Sequence, residues 1–284
     1  IQSFEKLIME NSFYIDKTAF IRQWWENRDD VTLIARPRRF GKTLNMNMLE
    51  RFLSIEYAGQ GEIFEGLSIW EYKSPDGDYK YRKLQGIWPV IFLSFADVKA
   101  NTFAVAREKI CMLIKEVYRK YDFLLAEGNL KEGETELFPG TLAEMTDSEA
   151  AYSLKNLSEF LYRYYGKKVI ILLDEYDTPL QEAWVYGYWK EMVEFIRGLF
   201  NSTFKTNRYL ERAVMTGITR VSKESIFSDL NHLTVVTTTS EMYEDCFGFT
   251  EEEVFAALDE YGMQDKRLDV KRWYDGFTFG KCRD

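Results

Sequence analysis

The chain has 284 residues, 46% hydrophobic and 16% aromatic, and its 46 acidic against 37 basic residues leave a formal charge of −9. That apolar content excludes a disordered chain and suffices for one large α/β domain, alone or with an appendage. The acidic balance argues against a surface that binds polyanions everywhere, while leaving room for a local basic groove.

Single residue types exclude more. His232 is the only histidine, which removes Ser-His and Cys-His catalysis and His-rich metal sites. Cys111, Cys246 and Cys282 are odd in number, far apart and without C-x-x-C spacing, as expected of packed or free thiols in a reducing compartment. No signal peptide and no run of ~20 apolar residues is visible, so a cytoplasmic protein without a membrane anchor is expected.

In chain order, the lead-in 1–30 carries "FYIDKTAFIRQWW", with Asp16 and Lys17 ahead of a helix. Such a segment either covers an adenine ring or is a plain amphipathic helix start. Next comes "VTLIARPRRFGKTLNMNMLERFL" (31–53), an apolar strand 31–35, a tight loop and a helix 44–53. The loop approaches G-x-x-x-x-G-K-[ST], the pattern whose backbone N–H groups cradle phosphates at a helix N-terminus. Gly41, Lys42 and Thr43 occupy the matching places, with Lys42 for the β- and γ-phosphates and Thr43 for Mg²⁺. Arg36 stands where the first glycine belongs, and a Cβ-bearing residue there is expected to cost about 1–3 kcal/mol of strain. Pro37 pushes Arg36 towards an extended conformation. A basic turn capping a helix is the competing reading of this loop alone. Arg36, Pro37, Arg38, Arg39, Phe40 and Leu44 complete the nucleotide-binding candidates; a polynucleotide contact for the arginines is the less economical view.

Residues 56–86 read as a helix end followed by a hairpin or excursion around "SPDGDY". A second strand is predicted over 88–95 and a helix over 103–125, where Ile110, Leu113, Ile114, Val117, Tyr118 and Tyr121 share one face. The acidic stretch 127–147 reads as an exposed loop. A helix over 154–165 leads into "KKVIILLD" (167–174), an apolar strand ending in Asp174 and Glu175. Carboxylates at that edge suit Mg²⁺ binding opposite Thr43, by Asp174, and activation of water for in-line phosphoryl transfer, by Glu175. A phosphate loop upstream and an acidic strand end downstream reinforce each other.

A helix is predicted over 181–204. Its aromatics in "EAWVYGYWKEMVEF" (182–195) read as core or as a stacking platform. A fourth strand, 212–218, runs into "TGITRVSKESIF", where Thr216 and Thr219 present hydroxyls and Arg220 a cation to the γ-phosphate, or simply end a strand. A weaker strand covers 233–239. The core is therefore placed at 31–240, and 241–284 reads as a helical appendage, with a capping box from Thr250 to Glu253 and a terminating Gly262. The sequence starts at "IQSFEKL" without methionine and stops just after an aromatic turn, so a further domain is expected beyond it.

"YIDKT", "ARPRRFGKTLNMNML", "VIFLSFADV", "VIILLDEYDTPL" and "MTGITRVSKESIFSDLN" together resemble the predicted AAA-ATPase-like proteins of many anaerobic bacteria, over about 1–280. In that family R-P-R-R-F-G-K-T is the usual loop. The resemblance implies a P-loop NTPase with sheet order 5-1-4-3-2, helices on both faces, ATP and Mg²⁺ as ligands, and Glu175 as the catalytic acid. Members usually carry a C-terminal domain similar to PD-(D/E)XK nucleases, through which nucleic acid becomes a partner; oligomers are compatible with the family. The expected function is Mg²⁺-dependent ATP hydrolysis coupled to an attached effector domain. The alternatives are a nucleotide switch without turnover, or a nucleic-acid-processing module whose chemistry lies in another domain.

Overall fold

The computed structural model describes residues 3–126, 128–138, 145–219, 226–227, 230, 232–274, 278–280 and 282–283. Arg220 and most of the segment after it lie outside the described residues. The lead-in forms α1 (Phe4–Met9) and α2 (Ala19–Asn27), followed by β1 (Val31–Ala35) and α3 (Lys42–Leu53). An excursion of 3₁₀ turns then contains the short helix α4 (Ser68–Glu71) and no hairpin. After it come β2 (Val90–Ser94), α5 (Phe103–Arg119), α6 (Asp147–Tyr165), β3 (Val169–Asp174), α7 (Thr178–Tyr186), α8 (Trp189–Phe200), β4 (Leu210–Gly217) and β5 (Leu233–Val236). The five strands pair in parallel in the order β2-β3-β4-β1-β5. Read from the other edge this is 5-1-4-3-2, the order that the family resemblance implies.

Alternation along each strand builds two cores. Val169, Ile171 and Leu173 of β3, with Leu33 and Met215, face Ile110, Ile114, Leu157, Leu161, Ile196 and Leu199 of α5, α6 and α8. Ile170 and Leu172, with Ile34 and Val214, face Phe20, Trp24, Met48, Leu49 and Phe52 of α2 and α3. A strand covered on both faces needs apolar residues at every position, which is why β3 reads as an unbroken apolar run.

Two predicted elements are redrawn. The helix expected over 181–204 is two helices, because Gly187 adopts φ 82° and ends α7 in a left-handed cap. Within 182–195 the aromatics divide: Tyr188 and Phe195 are core, whereas Trp184 and Tyr186 are exposed and Trp184 meets Trp189 edge-on. The acidic stretch is less of a free loop than expected, since a 3₁₀ turn at Glu134–Leu137 places Glu134 against Arg163 at 2.6 Å and buries Phe138.

Beyond the sheet, α9 (Glu251–Glu260) starts with the expected capping box and α10 (Arg267–Tyr274) follows; neither buries a residue fully. The strands β6 (Thr278–Phe279) and β7 (Cys282–Arg283) form a two-residue antiparallel ribbon that the sequence does not announce.

Candidate functional site

Parallel strands deliver their carboxyl ends to one edge, where α/β folds bind ligands. Because β4 lies between β1 and β3, that edge gathers three segments: the loop 36–43, the acidic turn 174–177 and residues 216–219. Arg36 N–H donates to Gly217 O at 3.1 Å, carrying the β1–β4 ladder one step into the loop.

Asp174 is the hub, and it is buried. Its Oδ2 accepts from Thr43 Oγ1 at 2.6 Å, its Oδ1 from Thr216 Oγ1 and, at 3.1 Å, from Glu175 N–H. The hydroxyl at the start of α3 and the carboxylate at the end of β3 thus meet directly across 131 residues of chain. The Thr216 hydroxyl is spent on Asp174 rather than offered to a phosphate. The Thr219 hydroxyl is likewise committed, donating to Asp177 Oδ2 at 2.7 Å.

The loop itself differs from expectation in where its left-handed residues fall. Arg36 is not among the residues with positive φ; Arg39 (φ 71°) and Gly41 (φ 74°) are. The non-glycine strain therefore sits at Arg39, three residues later than anticipated. Arg36 also turns its side chain away from the loop: the residue is 0% exposed, Nη2 donates to Tyr243 O at 3.4 Å, and the guanidinium lies 5.9 Å from the centre of the Phe247 ring. Arg38 and Arg39 are exposed instead, and with Phe40, Phe249, Phe255 and Tyr274 they line a cavity of about 580 Å³ between the loop and α9–α10.

Lys42 is buried, and its Nζ donates to Pro37 O at 2.8 Å, folded back over the loop. Burial holds its pKa below the ordinary lysine range, with the carboxylates of Asp174, Glu175 and Asp177 acting in the opposite direction. Glu175 has φ 51°, an uncommon conformation for a side-chain-bearing residue that costs about 1–3 kcal/mol and clusters at functional sites. Its Oε2 accepts from Thr178 Oγ1 at 3.2 Å.

Asp16 and Lys17 both make contacts that join distant parts of the fold. Asp16 Oδ1 accepts from Thr18 N–H and Oγ1, and Oδ2 from Ser68 N–H at 2.6 Å. Lys17 Nζ donates to Asp245 O and to both oxygens of Glu253 in α9. The lead-in does border the loop, since Phe13, Tyr14, Ile15 and Lys17 line a cavity of about 150 Å³ with Gly41, Leu44 and Cys246.

Several site residues were not singled out from sequence. Asn45 Nδ2 donates to Cys246 O at 2.8 Å, tying α3 to the segment before α9. Tyr176 donates its N–H to Thr216 O and its hydroxyl to Thr219 O. Asp177 is fully buried and accepts from Ile218 and Thr219 N–H. The signal available for it was a third acid within "DEYD", but its use depends on β4 lying next to β3.

The donor set suits Mg²⁺, a hard cation that takes one or two protein oxygens and completes its shell with water and phosphate. Thr43 and Asp174 supply such oxygens. Among the described residues no cluster of three or more His, Cys, Asp or Glu side chains is built to hold a metal without a substrate. Also among them, no helix is long and apolar enough to cross a membrane.

The chain is 26% identical over 287 residues to an uncharacterized protein in the vnfD 5′ region of Azotobacter chroococcum mcd 1, which covers 98% of this chain and 48% of that protein. It thus spans about half the length of that curated relative. Residues 1–227 match the family of predicted AAA-ATPases, and the chain therefore belongs to the predicted AAA-ATPase family.

Proposed function

We propose that the protein binds ATP and hydrolyses it to ADP and phosphate with Mg²⁺, its turnover coupled to an effector domain elsewhere in the full-length protein. The observation that carries this is the direct contact of Thr43 with Asp174, flanked by Lys42 and Glu175. In this reading the loop amides and Lys42 take the β- and γ-phosphates, Lys42 exchanging Pro37 O for phosphate oxygen. Thr43 and Asp174 hold Mg²⁺, which supplies charge neutralisation of the phosphates when bound. The Glu175 carboxylate takes the proton of the attacking water, and the base sits in the cavity between residues 13–15 and Leu44. Arg220 is proposed to meet the charge that develops on the γ-phosphate.

The test is a pair of substitutions. Glu175→Gln is expected to keep ATP binding and abolish steady-state hydrolysis, while Lys42→Ala weakens binding. Wild-type turnover in Glu175→Gln would remove the assigned role. A nucleotide-dependent switch is the second reading, favoured by the engagement of Glu175 with Thr178. It predicts stabilisation by nucleotide with phosphate release no faster than in buffer, and Glu175-dependent release above background eliminates it.

A further inference from the structure

We propose that Asp177 is a positioning residue of the phosphate site, holding the loop that leaves β4 against the acidic turn that follows β3. The inference rests on the ATPase reading above. Asp177 occupies the N-cap of α7, where an aspartate ordinarily accepts from the first-turn amides of its own helix; here the side chain makes no capping bond. Its Oδ2 reaches across the sheet edge instead. It accepts from Ile218 N–H at 3.0 Å, Thr219 N–H at 2.8 Å and Thr219 Oγ1 at 2.7 Å, and from Gln181 Nε2 at 2.8 Å.

The other oxygen, Oδ1, is buried without a hydrogen-bond partner. It lies so close to Gly217 that a Cβ there would come within 2.7 Å of it, so only glycine allows the approach. Capping a helix does not require a buried carboxylate with an oxygen left over. Pinning two consecutive amides of a neighbouring strand exit does require an acceptor oxygen with this reach. Tyr176 supplies an independent clamp between the same two segments, with its hydroxyl 2.7 Å from Thr219 O and its N–H bonded to Thr216 O.

The consequence is geometric. Glu175 is two residues before Asp177, and its left-handed turn is what presents its carboxylate. Residues 218–219 and Glu175 are therefore held as one unit, and the field at Lys42 includes the Asp177 charge. Releasing the clamp lets the catalytic carboxylate and the strand exit move independently, and displacements of about 1 Å at a reacting centre are worth up to ~100-fold in rate.

The test compares Asp177→Ala with Asp177→Asn, which keeps an acceptor oxygen for the two amides. Three quantities are read on the full chain: kcat and KM for ATP with Mg²⁺, ADP affinity, and hydrogen exchange at residues 218–219 against β1 and β3. For Asp177→Ala, kcat is expected to fall on the order of tenfold or more, with KM and ADP affinity within about threefold. Exchange should rise at 218–219 and not in β1 or β3, and Asp177→Asn should recover most of both. Wild-type kcat and exchange in Asp177→Ala would overturn the proposal. So would exchange that rises evenly across β1 and β3, or a rate loss matched by lost ADP affinity. Should Asp177→Ala not yield folded protein, Thr219→Val removes one of the four donors and carries the same test with smaller changes; wild-type values there overturn it. A wild-type protein without Glu175-dependent hydrolysis sinks the ATPase reading separately. The exchange comparison then decides the clamp by itself, and protection retained in Asp177→Ala refutes it.

Discussion

Replacing Lys17 by Met tests whether the lead-in serves the nucleotide or the architecture. In the folded chain Nζ sits 2.7 Å from Asp245 O and 2.6 and 2.7 Å from the two Glu253 oxygens, with side-chain exposures of 8% and 27% for the pair. Removing one partner of a fully buried ion pair costs about 3–5 kcal/mol, because the other charge stays behind uncompensated. Glu253 retains the Thr250 N–H at 2.8 Å and some contact with water, so the expected loss is lower, about 2–3 kcal/mol. At roughly 2–4 °C per kcal/mol for a chain of this size, the thermal midpoint should fall by about 4–12 °C. Circular dichroism or a dye-based melt reads this, and a double-mutant cycle with Glu253→Gln should return a coupling of about 1–3 kcal/mol. ADP affinity should stay within about twofold. An unchanged midpoint with weakened ADP binding would refute the reasoning and return Lys17 to the nucleotide.

Three further outcomes follow from the same geometry. Arg36→Gly should leave nucleotide affinity unchanged while destabilising the fold by about 2–4 kcal/mol, through the cavity it leaves and the lost bond to Tyr243 O; calorimetry with parallel ADP titration checks it. Because burial depresses the Lys42 pKa, phosphate affinity should fall as pH rises through that folded value, below the ordinary ~10.4 of lysine. The stability contribution of Lys42 runs the other way over that window, rising with pH because the unfolded chain binds the proton more tightly. Lys42→Arg, titrated between about pH 7 and 10, should show neither trend. Finally, burial raises the thiol pKa values of Cys111 and Cys246, so neither should react with iodoacetamide at about pH 8 until the chain unfolds.

Much of the candidate site was legible from sequence because its parts are local. A phosphate loop needs an apolar strand, a tight turn and a helix start in immediate succession, and an acidic strand end needs only its own residues. Thr43, Asp174 and Glu175 were singled out on those grounds, and the structure brings them to one edge. The packing of Arg36 was not legible because its surroundings are not local: Tyr243 and Phe247 lie over two hundred residues away, and no pattern around position 36 announces them. The partner of Lys17 was illegible for the same reason, Glu253 being 236 residues distant. The split of 181–204 was a different kind of miss, since Gly187 was visible but outweighed by the apolar period on either side of it.

By itself the sequence determined that apolar strands alternate with helices, that one strand feeds a glycine-lysine-threonine turn, and that another ends in paired acids. Those are consequences of side-chain period, backbone freedom and charge within a few residues. Which strands become neighbours was settled only by tertiary packing. Placing β4 between β1 and β3 makes Thr216 a support for Asp174, sets Asp177 on the amides of 218–219, and leaves Arg36 beneath the segment that leads to α9. The physical reason is that a buried polar group must find its partner wherever the packed layers deliver one, and that address is written in the whole chain rather than in any motif.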